Sequence, residues 1–249
     1  MSAVSTRWLA RPAAVDAPRL RLICVPHVGA GGAAFNSWLG RMPDGVELCA
    51  VRLPGRENRL AEPLLEDWQE MLAALQPAVA PLLDVPYVLF GHCSGSVIAY
   101  ELARRLSAAG TPPRTLVVTS TDGPSLRRID DPLHLLPQRE LIDRVIGYGG
   151  MAKGVLDDPD LMDMFARILR ADYRLVENLV YSDGPPLDVP IVAIGGRRDR
   201  FVPVAALSAW SAATTTDFVL HLLDGGHYIL AEAAGPVAAV LRDLLERRT

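Results

Sequence analysis

A glycine-flanked turn, Gly91-His92-Cys93-Ser94-Gly95, carries the first chemistry in this sequence. Its pattern is that of a nucleophile elbow, the strand-to-helix turn of Gly-x-Ser-x-Gly enzymes, with a thiol where a hydroxyl is usual. The nucleophile of such a turn sits in a strained backbone conformation, so the residues two before and two after it must be small where strand and helix meet. Gly91 and Gly95 meet that requirement for Cys93. A register with Ser94 as nucleophile would put His92 and Ser96 in those places, and His92 is bulky, so Ser94 is the weaker alternative. The commonest fate of a free cysteine, a small buried hydrophobe, fits Cys24 and Cys49 better, because both lie in apolar runs, residues 20–25 and 46–51.

A thiol needs a base, and the base needs a group that fixes its tautomer; in elbow enzymes the chain order is nucleophile, acid, histidine. Of the five histidines, His27 and His92 precede or abut the nucleophile. His134 comes before any late strand could contribute an acid, and His221 sits inside the run Phe218-Val219-Leu220-His221-Leu222-Leu223, where a structural role is expected. His227 follows Asp224-Gly225-Gly226, on a loop able to swing an imidazole over the sheet, and is the expected base. Asp199 leaves the apolar run Ile191-Val192-Ala193-Ile194 through Gly195-Gly196-Arg197-Arg198 and is the expected acid. Asp183, Asp188, Asp217 and Asp224 begin strands or sit in turns, where aspartate caps or is solvated. Arg197, Arg198 and Arg200 read as solvated surface, or as contacts for an anionic partner at the site mouth. Oxyanion donors are expected from the Ser94 backbone N–H at the start of its helix, and from Val28 in the glycine-rich loop Pro26-His27-Val28-Gly29-Ala30-Gly31-Gly32. That loop is not a phosphate loop, because no Gly-Lys-Ser/Thr follows it.

These residues must hang from a sheet. Strand-like runs recur at residues 20–25, 47–53, 87–90, 115–119, 191–194 and 218–223, separated by helical patterns at 64–83, 97–106, 204–212 and 236–247. The alternation predicts an α/β fold with a mostly parallel sheet, helices on both faces and chemistry in the loops after strands. One spacing departs: about seventy residues separate the fourth and fifth runs, far beyond the usual connection. A single domain over 1–249 is expected, with an insertion at about 124–185 carrying helices near 139–146 and 161–180. With Gly147, Gly149, Gly150 and Gly154 as joints and Met151, Met162 and Met164 facing an acyl chain, it reads as a helical lid; the alternative is an extra helical layer with methionines in its core.

The chain has 249 residues, half of them apolar, enough for a sizeable core. A net charge of −4 with scattered arginines offers no basic stripe for nucleic acid. No stretch approaches the ~20 apolar residues of a membrane span, and the first eighteen residues lack the apolar core of a signal peptide. Three cysteines without metal-ligand spacing suit a reducing compartment, so a cytoplasmic protein without a metal site is expected.

Several of these segments together resemble one family. Pro26-His27-Val28-Gly29-Ala30-Gly31, Leu53-Pro54-Gly55-Arg56-Glu57-Asn58-Arg59, the elbow, the Gly195 to Asp199 loop and Gly225-Gly226-His227-Tyr228 are similar, in order, to the type II thioesterases that accompany polyketide and nonribosomal peptide synthases. The resemblance implies an α/β-hydrolase fold, a monomer without a cofactor of its own, and trans-acting removal of acyl groups from the phosphopantetheine arm of acyl or peptidyl carrier proteins. It places nucleophile, acid and base on Cys93, Asp199 and His227, and the oxyanion donors on the N–H groups of Val28 and Ser94. The chain departs from the family at the elbow, which usually reads Gly-His-Ser-Met-Gly. With Cys93 the acyl group would move from one thioester to another and stay activated, so acyl or aminoacyl transfer between carriers, or onto another acceptor, competes with hydrolysis. A small-molecule hydrolase resembling dienelactone hydrolases and a non-catalytic carrier-binding module are the remaining readings.

Overall fold

Runs such as Leu20–Val25, apolar but for Arg21 and without polar alternation, suit interior strands of a parallel sheet covered on both sides. The structure, a computed structural model describing residues 7–149 and 157–247, builds its sheet from such runs. The strands are β1 (Leu9–Ala10), β2 (Leu20–Val25), β3 (Val46–Val51), β4 (Tyr87–His92), β5 (Thr115–Thr119), β6 (Ile191–Gly196) and β7 (Phe218–Leu223). Their spatial order is β1-β3-β2-β4-β5-β6-β7. Every neighbouring pair is parallel except β1 with β3, an edge pairing of two residues that the sequence pattern did not signal.

Alternate side chains of each strand enter different cores. Ile23, Val25, Leu89, Leu116 and Val118 join one, beneath helices α1 (Trp68–Val79), α2 (Ser94–Ala108) and α5 (Val204–Ser208). Leu22, Cys24, Val88, Phe90 and Val117 join the other, beneath Phe35 and Trp38 of a 3₁₀ turn and beneath α7 (Ala234–Arg247). Cys24 and Cys49 are fully buried free thiols, each packed as a small apolar side chain in one of these cores.

Some boundaries differ from the sequence expectation, with local reasons. The helix expected over 64–83 starts at Trp68, because Asp67 caps it by accepting the Glu70 N–H at 2.8 Å, and passes into a 3₁₀ turn at Ala80–Leu82, where Pro81 has no N–H to donate. Helix α2 begins three residues earlier than its apolar spacing indicated, directly after Cys93. The pattern at 204–212 splits into α5 and a 3₁₀ turn, Ala209–Ala213.

Between β5 and β6 the chain forms α3 (Gln138–Gly147) and α4 (Pro159–Glu177), which share a small core of Leu133, Leu141, Ile142, Val145, Ala166 and Leu169. Asp158 caps α4 through the N–H groups of Asp160 and Leu161. Gly149 turns the chain after α3 with φ +83°. Gly150, Gly154 and Met151 lie outside the described residues. A short helix, α6 (Ile229–Glu232), precedes α7. Among the described residues no helix is long and apolar enough to cross a membrane.

The start of α2 packs against the ends of β2 and β4 with no room to spare. A Cβ on Gly95 would lie 2.2 Å from the Val25 carbonyl oxygen, and one on Gly91 would lie 2.3 Å from the Ser96 Cα. Both obstacles are backbone, so neither can be relieved by a rotamer change. Gly95→Ala should therefore destabilise the fold by at least the ~1–3 kcal/mol of an overpacked core, seen as a fall in Tm of about 2–4 °C per kcal/mol.

Candidate active site

The turn at Cys93 is held in a backbone geometry that few side chains adopt, φ 50° and ψ −120°. Such strain persists only where the surroundings over-determine it. Here the Cys93 N–H donates to the Thr119 carbonyl at 2.8 Å, and the Cys93 carbonyl accepts the Ser96 N–H at 2.9 Å. Ser96 Oγ, fully buried, donates to the Gly91 carbonyl at 2.9 Å and accepts the Thr119 N–H at 3.0 Å, tying the turn to β5. The thiol is left facing the loops beyond the carboxyl ends of the strands.

Two of those loops are clasped together. Arg197 N–H donates to the Leu223 carbonyl and Arg198 N–H to the Gly225 carbonyl, at 2.8 and 2.9 Å. Gly196 lets the loops approach, since a Cβ there would meet the Gly225 oxygen at 2.3 Å. This clasp sets Asp199 beside His227. Asp199 Oδ1 accepts the N–H groups of Phe201 and Val202, and Oδ2 lies 3.0 Å from His227 Nδ1. His227 Nε2 lies 3.3 Å from Cys93 Sγ. Ser94 Oγ instead accepts the Val28 N–H at 2.8 Å.

Burial works against charge on both His227 and Asp199, but their partners outweigh it. The hydrogen bonds and charges of Asp199 and Cys93 hold the His227 imidazole well above its ordinary value. Hydrogen bonds from His227 and two backbone N–H groups hold Asp199 below the ordinary carboxylate range. The other two imidazoles here go the opposite way. Burial, helped by His227, lowers His27 to about 4, and burial holds His92 well below its ordinary value, so both are neutral at pH 7. His27 packs edge-on to His92 and Tyr228, at 5.0 and 5.3 Å between ring centroids. His92 Nδ1 is 2.7 Å from Thr119 Oγ1.

Cys93 and His227 open onto a cavity of about 350 Å³. Its walls include His27, Val28, Ser94 and Tyr228 from the sheet side, and Ile129, Leu133, Tyr148 and Tyr173 from the insertion. Tyr148 stacks edge-on against Phe201, which in turn packs on His227, so the insertion reaches the loop that carries Asp199. The described methionines do not face this cavity. Met162 packs against the insertion's own core, and Met164 lines an outer groove with Gly55 and Leu60. The insertion thus gives the cavity tyrosine and aliphatic side chains, with Arg128, Asp130, Asp131, Arg144 and Glu177 also on its wall, because α4 turns Tyr173 inward and Met164 outward.

The remaining candidates are dispersed. His221 lies on the edge strand β7, opposite Ile194 in register, and His134 Nδ1 bonds Glu177 within the insertion at 2.6 Å. Arg197, Arg198 and Arg200 are exposed, and Arg198 pairs with Asp224.

Sequence reasoning missed a buried ion pair. Both guanidinium ends of Arg56 bond the Asp172 carboxylate of α4 at 2.6 Å, and Asp172 Oδ2 also accepts the Gly29 N–H at 2.8 Å. Arg56 donates as well to the Ala30 carbonyl at 3.1 Å. One carboxylate thus ties the insertion to the loop carrying Val28. Arg56 was visible within a recognisable segment, but nothing in the local pattern marked Asp172.

Comparison with known proteins adds to this geometry. Residues 20–247 match the family described as "Thioesterase domain". The chain is 32% identical to the gramicidin S biosynthesis protein GrsT of Aneurinibacillus migulanus, over 91% of this chain and 89% of that one. It is 38% identical to part of the AMB antimetabolite synthetase AmbE of Pseudomonas aeruginosa, over 96% of this chain and 11% of that one. Among solved structures it superposes on the type II thioesterase BorB from the borrelidin biosynthetic cluster with a TM-score of 0.88 at 32% identity, covering 98% of each chain. The fold is accordingly that of the α/β-hydrolases.

Two measurements probe the geometry. Burial pushes both core thiols up, Cys49 to about 12, so iodoacetamide at pH 7 should label Cys93 alone in a peptide-mass assay; His227→Ala should slow that labelling roughly tenfold or more. Arg56→Met should leave a buried carboxylate uncompensated and cost about 3–5 kcal/mol, measured as a shift in the denaturation midpoint at unchanged m-value.

Proposed function

Since the chain belongs to the thioesterase family, we propose that it is a trans-acting type II thioesterase that cleaves acyl groups from the phosphopantetheine arm of a carrier protein in a polyketide or nonribosomal peptide pathway. Its reaction runs through an acyl-Cys93 intermediate. The observation that carries this reading is the 3.3 Å separation of Cys93 Sγ from His227 Nε2, with Asp199 Oδ2 at 3.0 Å from the other ring nitrogen. Synthase association comes from the relatives, whose names include gramicidin S biosynthesis and the borrelidin cluster.

The chemistry follows from those contacts. His227 Nε2 takes the Cys93 proton, and the thiolate adds to the thioester carbonyl. The N–H groups of Val28 and Ser94 receive the negative oxygen. On collapse the carbon–sulfur bond to pantetheine breaks, and His227 returns its proton to the departing thiolate. Water then adds to the acyl-Cys93 carbonyl, giving its proton to His227, and the carboxylic acid leaves as Cys93 is protonated again. Asp199 keeps Nδ1 protonated and stabilises the imidazolium between steps. No cofactor or metal takes part, since the pantetheine belongs to the substrate.

The rest of the molecule fits this use. The insertion, about 124–185 within one domain, acts as a lid whose Tyr148 and Tyr173 cover the acyl chain. A cavity of about 350 Å³ suits a short acyl group better than a finished polyketide. The exposed side chains of Arg197 and Arg200 offer contacts to an anionic carrier, and the enzyme works as a cytoplasmic monomer.

The sulfur itself favours a second reading, acyl or aminoacyl transfer. Exchange of one thioester for another is nearly balanced in free energy, so acyl-Cys93 stays able to acylate another thiol, whereas a serine ester would be a deeper resting state. Incubation with an acyl-loaded carrier, followed by intact mass, separates the two: release of free acid supports hydrolysis, and an adduct that leaves only for a second carrier supports transfer. Cys93→Ala should abolish the adduct and lower turnover by about 10³-fold or more. Cys93→Ser should retain hydrolysis while losing reactivity toward iodoacetamide.

A further inference from the structure

We propose that the Ser94 hydroxyl gates the oxyanion hole: it holds the Val28 N–H in the resting protein and must release it before the tetrahedral oxygen can bind there. This rests on the reading of Cys93 as the acylated group and of the Val28 and Ser94 N–H groups as its oxyanion donors.

The gate follows from an inventory of donors in one short loop. The Val28 N–H donates to Ser94 Oγ at 2.8 Å, a full hydrogen bond. A backbone N–H carries one proton, so it cannot serve that hydroxyl and an oxyanion at full strength together. The next two donors are committed elsewhere, Gly29 N–H to Asp172 Oδ2 at 2.8 Å and Ala30 N–H to the His27 carbonyl at 3.0 Å. Neither can replace Val28. Nor can the loop swing its N–H away from the hydroxyl, because Arg56 and Asp172 hold the loop from behind through buried contacts. The element left to move is the Ser94 side chain.

That side chain is suited to moving. Val28, Cys93 and Ser94 all border the cavity that would hold the acyl group, so the hydroxyl stands where an incoming oxygen would compete with it. A gap of about 10 Å³, bordered by Val28, Ser94 and Ile98, lies alongside. Rotation about χ1 to another staggered position takes the hydroxyl off the Val28 N–H without disturbing the backbone. Ser94 keeps its own N–H through this change, and that N–H, at the first position of α2, has no intrahelical acceptor. The hole is thus half available at rest, and complete only after the hydroxyl has turned. Both the acylation and the deacylation of Cys93 pass through an oxyanion, so both carry the cost of turning it.

The test follows the acetyl thioester of pantetheine by quenched-flow intact mass, recording formation and decay of the Cys93 adduct in the parent protein, Ser94→Ala and Ser94→Thr. Removing the hydroxyl should raise both rates by roughly three- to tenfold, the factor for displacing one neutral hydrogen bond, with KM little changed. Ser94→Thr keeps a hydroxyl and should gain less than Ser94→Ala in both rates. Ser94→Ala rates at or below the parent would overturn the gate, since a hydroxyl that donates to the oxyanion would be missed on removal; so would a threonine variant as fast as the alanine one. Absence of any adduct in the parent, with turnover surviving Cys93→Ala, would instead remove the cysteine reading on which the gate rests.

Discussion

The left-handed backbone at Cys93 is the constraint on which the rest of the site depends. Holding a side chain at φ 50° and ψ −120° costs on the order of 1–3 kcal/mol, and the surrounding structure supplies it through backbone contacts rather than through the thiol. The first turn of α2 sits so close to β2 and β4 that only glycine fits at 91 and 95. Ser96 and the Thr119 backbone close the turn from the β5 side. With the backbone so determined, the sulfur has one direction in which to point, out over the ends of the strands. His227 and Asp199 can then be placed by the loops after β7 and β6, which meet through their own backbone hydrogen bonds.

Around that fixed point the electrostatics divide three imidazoles into two kinds. His27 and His92 lie in surroundings with too little compensating charge, so burial keeps them neutral and they serve as walls. His227 is also buried, but a carboxylate on one nitrogen and a thiol on the other reverse the outcome. Proximity to the elbow is therefore not what distinguishes His227. Its partners do, Asp199 first and then Cys93, because both favour the protonated ring over the neutral one.

The insertion is coupled to the same site by charge rather than by apolar packing alone. Arg56 from the loop after β3, Asp172 from α4 and the Gly29 N–H converge at one buried carboxylate. Such a pair gains little as a stabiliser, since desolvation offsets most of its attraction. Its geometry is directional, though, and it fixes the loop carrying Val28 relative to α4. The position of the insertion and the orientation of the Val28 N–H are consequently one structural variable, and the contact between that N–H and Ser94 sits at their junction.

What the sequence determined by itself was whatever short-range patterning encodes. Apolar runs bounded by turn residues marked six of the strands, because an interior parallel strand must be apolar on both faces; the two-residue β1 was too short to show a period. Chain order and position after strands singled out Cys93, Asp199 and His227, since a βα repeat delivers the residues following its strands to one edge of the sheet. Glycines at 91 and 95 separated Cys93 from Ser94 by size alone. The tertiary structure decided what depends on partners distant in the chain. Asp172, 116 residues from Arg56, carried no local mark. The methionines of α4 turned away from the cavity and Tyr173 turned in, because helix rotation is set by packing against the Val28 loop and not by residue type. The Ser94 hydroxyl met the Val28 N–H for the same reason: a hydrogen bond between residues 66 apart exists only once the sheet has brought β2 beside β4.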